Sequence, residues 1–334
     1  MKLLVPGASY LPRKKPFEGS QDVSFVELLG RSNFSFLQGA SHPEEMVEQA
    51  LLLDYAGISI CDLNGLYGVA RGFKTATSPS FFASTVHVKE GFRYRIGTEL
   101  HLTELISVAL MPLNKRGYSR ICELITQGKR GADKGFSKLS LQDLLPRSED
   151  LLCFLIPPFS DEQFFELQKT FQDRLYLPIW RDLTWESRCF VQRAFELEEK
   201  YSAQLFVTNR PLMHIPERKP VFDVQTCLFH QITLNEAKDK LIQNAERYLK
   251  PLDELINLWR DRLDLLQVTV EIADRIEFQL DQIRYRYPNS NLPSGWTATD
   301  YLRHLTYEGL KHRYTDVLPE KVIQVTEHEL KIVR

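Results

Sequence analysis

The sequence, 334 residues long, is poor in the features that mark the most easily read chemistries. It has no long apolar run. At its start only Leu3 to Val5 precede Pro6 and Gly7, and the charges of Arg13, Lys14 and Lys15 come after them, so neither an export signal nor a membrane span is expected. Five cysteines, Cys61, Cys122, Cys153, Cys189 and Cys227, lie far apart without a C-x-x-C pair, which argues for reduced thiols in a cytoplasm and against disulfides or a zinc site. No H-E-x-x-H, Ser/His/Asp or Cys/His arrangement is evident, and the turns at Asn64-Gly65 and Gly128 to Gly131 lack a dinucleotide fingerprint. A net charge of −2 gives no global pull toward nucleic acid, so any such contact must come from a local patch.

What is present is a globular composition, 43% hydrophobic and 26% charged, with enough chain for one large or two medium domains. Val23, Phe25, Val26, Leu28 and Leu29 form an apolar strand that leads through a loop to Ser41-His42-Pro43-Glu44. That segment has the spacing of a capping box on Ser41, with Pro43 in the first helical turn. A helix from Pro43 to about Tyr55 follows, then a strand Ile58 to Asp62, a helix Val69 to Thr75, strands Tyr94 to Leu100 and Val108 to Leu113, and a helix Gly117 to Thr126. Strands Leu151 to Ile156, Leu175 to Trp180 and Gln204 to Asn209 alternate with helices Asp161 to Gln172, Glu186 to Tyr201 and Val221 to His230. Such alternation predicts a parallel sheet wound by helices, either open or closed into a barrel. From about Leu234 the pattern is helical only: Pro251 to Trp259, Asp264 to Glu277, Thr297 to Tyr314 and Glu320 to Val333. Tyr285 to Thr297, rich in Pro, Ser, Asn and Gly, reads as a boundary.

The stretch ELLGRSNFSFLQGASHPEEMVEQA, Glu27 to Ala50, resembles the opening of the PHP (polymerase and histidinol phosphatase) domain at the N-terminus of bacterial DNA polymerase III alpha subunits. SNFSFLQGAS and ELITQGKRGADKG, Glu123 to Gly135, are similar to the error-prone branch, and YLRHLTYEGLKHRY and VIQVTEHELKI resemble the segment that leads toward the polymerase palm. The resemblance implies an α/β fold, a distorted and incomplete (β/α) barrel with a metal site at the C-terminal strand ends, followed by an all-helical segment. The implied division is an irregular lead-in at 1–22, the barrel at 23–233, a helical connector at 234–290 and the start of the palm-linking region at 291–334, truncated before the palm. The carboxylates that hold two metal ions for nucleotidyl transfer lie beyond that point in the family, and no Asp-x-Asp or phosphate-binding loop occurs here, so these residues are not expected to polymerise DNA alone.

The resemblance also assigns the positions of a PHP metal site, and most have lost their ligands. The first His pair corresponds to Leu29 and Arg31, the Thr-Asp-His to Cys61, Asp62 and Leu63, the Gly-x-Glu to Gly97, Thr98 and Glu99, and the late Asp-x-His to Arg210, Pro211 and Leu212. Leucine has no lone pair and a guanidinium stays protonated, so neither holds a divalent cation. The expectation is a vestigial site without metal, in which Arg31 and Arg210 pair with Asp62 and Glu99 so that neither acid is buried alone. The enzyme alternative keeps manganese or zinc on Asp62, Glu99, His101 and His214 and hydrolyses phosphoesters or a 3′ DNA end; the bland reading makes Asp62 a loop hydrogen-bonder and the two histidines structural.

Lys129, Arg130, Lys134 and Lys138 form a basic cluster able to track a phosphate backbone, or a solvated loop. The aromatic pairs Phe81-Phe82 and Phe164-Phe165, with Tyr285 to Tyr287, read as packing. Val322, Ile323, Val325, Leu330, Ile332 and Val333 spread apolar surface widely around the last helix, which therefore needs cover from the chain, a second copy or another polypeptide. The function expected is a structural or interaction unit in error-prone replication, repair and translesion synthesis; a DNA-binding accessory is the third reading.

Overall fold

The computed structural model describes residues 23–78, 90–283, 291–314 and 317–333. The lead-in at 1–22, Phe81-Phe82 and Tyr285 to Tyr287 lie outside them. The described residues fall into two compact units, divided between Gln282 and Ile283.

In the first unit seven strands pair in sequence order: β1 (Val26–Gly30), β2 (Gly57–Leu63), β3 (Arg93–His101), β4 (Ser107–Pro112), β5 (Leu151–Ile156), β6 (Leu175–Ile179) and β7 (Gln204–Val207). Every residue of β1 and β5 is buried, as strands covered on both faces require, and this is why they read as continuous apolar runs. The helices α1 (Pro43–Leu52), α2 (Val69–Thr77), α3 (Lys115–Arg130), α4 (Leu141–Leu144), α5 (Asp161–Phe171), α6 (Trp185–Tyr201) and α7 (Lys219–His230) fill the connections. β1–β2–β3 and β5–β6–β7 are parallel, but β4 runs antiparallel to both neighbours, which corrects the expectation of a wholly parallel sheet. The physical reason is the connection: only residues 102–106 separate β3 from β4, and a parallel partner needs a crossover of a dozen residues or more.

The curled sheet is an incomplete barrel, since β1 and β7 are edges that do not pair. Two devices fill the gap. Helix α9 (Asp264–Asp274), which follows α8 (Leu252–Leu258), packs against both edges, and its Thr269 Oγ1 accepts a hydrogen bond from Val26 N at 2.9 Å. Across the same gap the buried Glu27 accepts from Thr208 Oγ1 (2.5 Å) and Asn209 N (2.8 Å), while also capping Leu29 N (2.9 Å). Thus α8 and α9, assigned from sequence to the connector 234–290, lie in the same compact unit as the strands.

The start of α1 also departs from expectation by one residue. Glu45, not Glu44, reaches back to His42 N at 2.8 Å, leaving the Ser41 hydroxyl to meet His214, and Glu44 pairs instead with Arg71. In the second unit α10 (Ala298–Arg313) and α11 (Glu320–Val333) are tied by Arg303 and Tyr307, which both donate to Glu327 Oε1 at 2.5 Å. Neither helix contains a buried residue, and Leu302, Leu305, Val325, Ile332 and Val333 stand exposed. No helix among the described residues is long and apolar enough to cross a membrane.

Candidate functional site: an arginine–glutamate centre at the strand ends

The C-terminal ends of β1, β2, β3 and β7 converge on Glu99. Arg31, just past β1, places Nη2 2.5 Å from Glu99 Oε2, and Arg210, just past β7, donates Nη1 to Oε2 and Nη2 to Oε1, both at 3.0 Å. His101 Nε2 lies 3.2 Å from Oε1. The Glu99, Arg31 and Arg210 side chains are only 3%, 10% and 11% exposed, so this is a desolvated cluster and not a surface ion pair. Burial alone would raise the Glu99 pKa, but the guanidiniums of Arg210 and Arg31 override it and hold the carboxyl well below the usual range. Arg210 reaches this position with a left-handed backbone (φ 44°), steadied by Arg210 N donating to Thr208 Oγ1 (2.8 Å) and by Arg247 Nε donating to its carbonyl (3.0 Å). A non-glycine residue there costs about 1 to 3 kcal/mol, which the surrounding bonds must outweigh.

Asp62 does not take an arginine, and here the expectation fails. Its Oδ1 accepts from Ser32 N (2.9 Å), Ser32 Oγ (2.9 Å) and Ser35 Oγ (2.8 Å), and Oδ2 accepts from Ser32 Oγ (2.8 Å). Burial pushes its pKa up, and those hydrogen bonds only partly offset the push. The pairing was misassigned because Glu99 alone satisfies both guanidiniums, whereas the turn after β1 delivers two serines at i and i+3 to the nearer acid. The space beside Asp62 is filled as well: a Cβ on Gly68 would come within 2.5 Å of Asp62 Oδ2 and 2.9 Å of Ser32 Oγ.

The remaining ligand positions are apolar or engaged elsewhere. Leu29 and Leu212 are buried, Leu63 is half-buried at the end of β2, and the late loop is stitched to the first by Ala40 N donating to the Leu212 carbonyl at 2.8 Å. His214 faces Ser41 Oγ through Nδ1 (2.7 Å), and burial pushes its pKa down to about 4, so it is neutral near pH 7. The residues present do not fit a manganese or zinc ion: both Glu99 oxygens receive guanidinium protons, and Asp62 is engaged by Ser32 and Ser35. Among the described residues no group of three or more His, Cys, Asp or Glu side chains is disposed to hold a metal.

Lys129 and Arg130 lie in the last turn of α3, where cations complement the helix dipole, and Lys134 and Lys138 follow in an exposed turn. That turn docks beside the β3–β4 hairpin through Thr103 N donating to the Leu139 carbonyl (2.8 Å). Phe164 is buried, while Phe165 is partly exposed and packs edge-on against Tyr201. Sequence reasoning missed Ser32, Ser35 and Arg247; the S-x-x-S spacing after a strand could have pointed to the serines, but nothing local marks Arg247.

A family model described as PHP domain matches residues 28–198, and the chain belongs to that family. It is 57% identical over 333 residues to an error-prone DNA polymerase of Bdellovibrio bacteriovorus, covering 100% of this chain and 31% of the relative. An error-prone DNA polymerase of Brucella suis is 35% identical over 319 residues (93% of this chain, 29% of the relative). The chain therefore spans about a third of the length of these curated relatives. Among solved structures, a lesion-specific endonuclease from Pyrococcus furiosus aligns with 57% of this chain and 48% of its own at a TM-score of 0.39 and 12% identity. An amidohydrolase from Chromobacterium violaceum aligns with 55% of this chain and 86% of its own at 0.38 and 11%.

Proposed function

We propose that this chain is the PHP portion of an error-prone polymerase-type protein in which fixed side-chain charge has replaced the metal centre, and that it acts in replication and translesion repair in the cytoplasm as a structural and interaction unit, not as a hydrolase. The observation that carries this reading is the occupation of both Glu99 oxygens by Arg31 and Arg210. A metal at that point would sit against two protonated guanidiniums, and no nearby ligand compensates. The unburied faces of α10 and α11 support the interaction role, since two helices with exposed Leu302, Leu305, Val325 and Ile332 call for a covering polypeptide or a second copy.

Elemental analysis of purified protein, with phosphoesterase assays in added manganese or zinc, tests the reading. The expected result is no stoichiometric metal and no metal-dependent turnover; bound metal that supports turnover would sink it. DNA contact by Lys129, Arg130, Lys134 and Lys138 has a separate test. If those four side chains track phosphates, duplex binding falls steeply between about 50 and 200 mM salt, and replacing them with alanine flattens the slope. Binding that ignores salt removes DNA contact from the proposal.

A further inference from the structure

Beside the arginine–glutamate centre, past the ends of β5 and β6, lies a cavity of about 520 Å³. Its walls include Phe159, Trp180 and Phe190 with Pro157 and Pro158, and its polar lining includes Arg247. Trp180 packs against Phe190 (ring centroids 5.7 Å apart), and the Arg210 guanidinium lies 5.3 Å from its ring centroid, so the aromatic wall is continuous with the centre. Arg247 is the third guanidinium of this neighbourhood. Arg31 and Arg210 share the Glu99 carboxylate, but Arg247 spends only Nε, on the Arg210 carbonyl, and no salt bridge to it occurs among the described residues. Burial, followed by repulsion from Arg210 and Arg31, pushes its pKa down to about 9 against the opposing attraction of Asp182 and Glu99. The other cation of the lining, Arg193, is already paired with Asp161.

We propose that this cavity binds a small ligand made of an aromatic ring and a single negative charge, the ring lying against Trp180, Phe159 and Phe190 and the charge meeting the Nη atoms of Arg247. The two halves follow from separate observations. The lining is mostly aromatic and apolar, which favours a flat ring. A guanidinium whose Nη atoms bond to no acid among the described residues favours an anion, because a buried cation is relieved by a charge-assisted hydrogen bond. The charge is single because Asp182 and Glu186 line the same cavity and repel a second one. Asp182 attracts Arg247 without bonding to it among the described residues; its Oδ1 is held by Thr184 N (3.2 Å) and Thr184 Oγ1 (2.6 Å). The proposal goes beyond the interaction role and stands without it.

Four probes separate the parts: indole-3-acetate carries ring and one charge, tryptophol the ring, acetate the charge, and adenosine monophosphate a ring with a dianion. Titration calorimetry with the full chain should give saturable binding of indole-3-acetate, with tryptophol, acetate and the Arg247→Gln variant each weaker by roughly tenfold or more. The exposed Cys189 thiol lines the same cavity, so the same ligand should slow its alkylation, read peptide by peptide, and this second readout needs no mutation. No saturable binding, no protection of Cys189, or an equally tight Arg247→Gln variant with an unchanged urea midpoint overturns the site. Adenosine monophosphate binding as tightly as the carboxylate overturns the single-charge assignment.

Discussion

Replacing Glu99 with glutamine is expected to destabilise the first unit by about 3 to 5 kcal/mol, read as a fall in the urea midpoint at unchanged slope. The amide keeps the shape of the side chain but cannot answer two guanidiniums, and Arg31 and Arg210 are too buried to be rescued by water. The pH dependence has a definite sign. The folded-state pKa of Glu99 lies well below the ordinary 4.5, because the guanidiniums of Arg210 and Arg31 outweigh its burial. Its contribution is therefore fully present above about pH 4.5 and is lost as pH falls through the depressed folded value, so the gap between wild type and variant narrows in acid. A triple variant, Glu99→Met with Arg31→Met and Arg210→Met, removes all three charges and should recover most of the loss, since apolar replacement of a whole buried cluster is often neutral or stabilising. If the triple variant is as unstable as Glu99→Gln, packing and not unpaired charge explains the cost. A variant as stable as wild type would mean the cluster is solvated and the site open.

The legibility of this site in the sequence was uneven for physical reasons. Apolar strands such as Leu151–Ile156 declare themselves because burial on both faces leaves no polar position. The loss of ligands at Leu29, Leu63 and Leu212 is equally plain, since side-chain chemistry alone decides it. Which acid takes which arginine is not local information: Arg31 and Glu99 are 68 residues apart, Arg210 and Glu99 are 111, and the pairing depends on how β1, β3 and β7 end against one another. The reversal of β4 was legible in the short stretch 102–106, too brief for any crossover, but strand periodicity is blind to direction. Arg247 sits in a stretch without helix or strand between α7 and α8, placed by a backbone bond from Leu212 N to its carbonyl (2.9 Å), its own Nε bond to the Arg210 carbonyl (3.0 Å) and a bridge pairing Met213 with Tyr248.

Glu27→Ala should have the second large effect, and its pH dependence runs opposite to that of Glu99. The Glu27 carboxylate links the chain at the unpaired edges β1 and β7, with Leu29 N, Thr208 Oγ1 and Asn209 N all donating to it. Truncation strands two buried backbone N–H groups and a hydroxyl, each costing about 1 to 3 kcal/mol. The total is about 3 to 5 kcal/mol once partial relaxation is allowed. Burial raises the Glu27 pKa more than the donors from Thr208, Leu29 and Asn209 lower it. A carboxyl with a raised folded pKa contributes the stability linked to that shift fully below its unfolded value of 4.5 and loses it as pH rises through the folded value. The difference between wild type and Glu27→Ala should therefore be larger near pH 4 than near pH 8, whereas the Glu99→Gln difference should grow with pH over the acid range. Urea midpoints of both variants across that range decide the matter: parallel trends would mean that one of the two carboxylates is not in the environment described, while crossing trends separate the buried closure of the barrel from the arginine-held centre at its mouth.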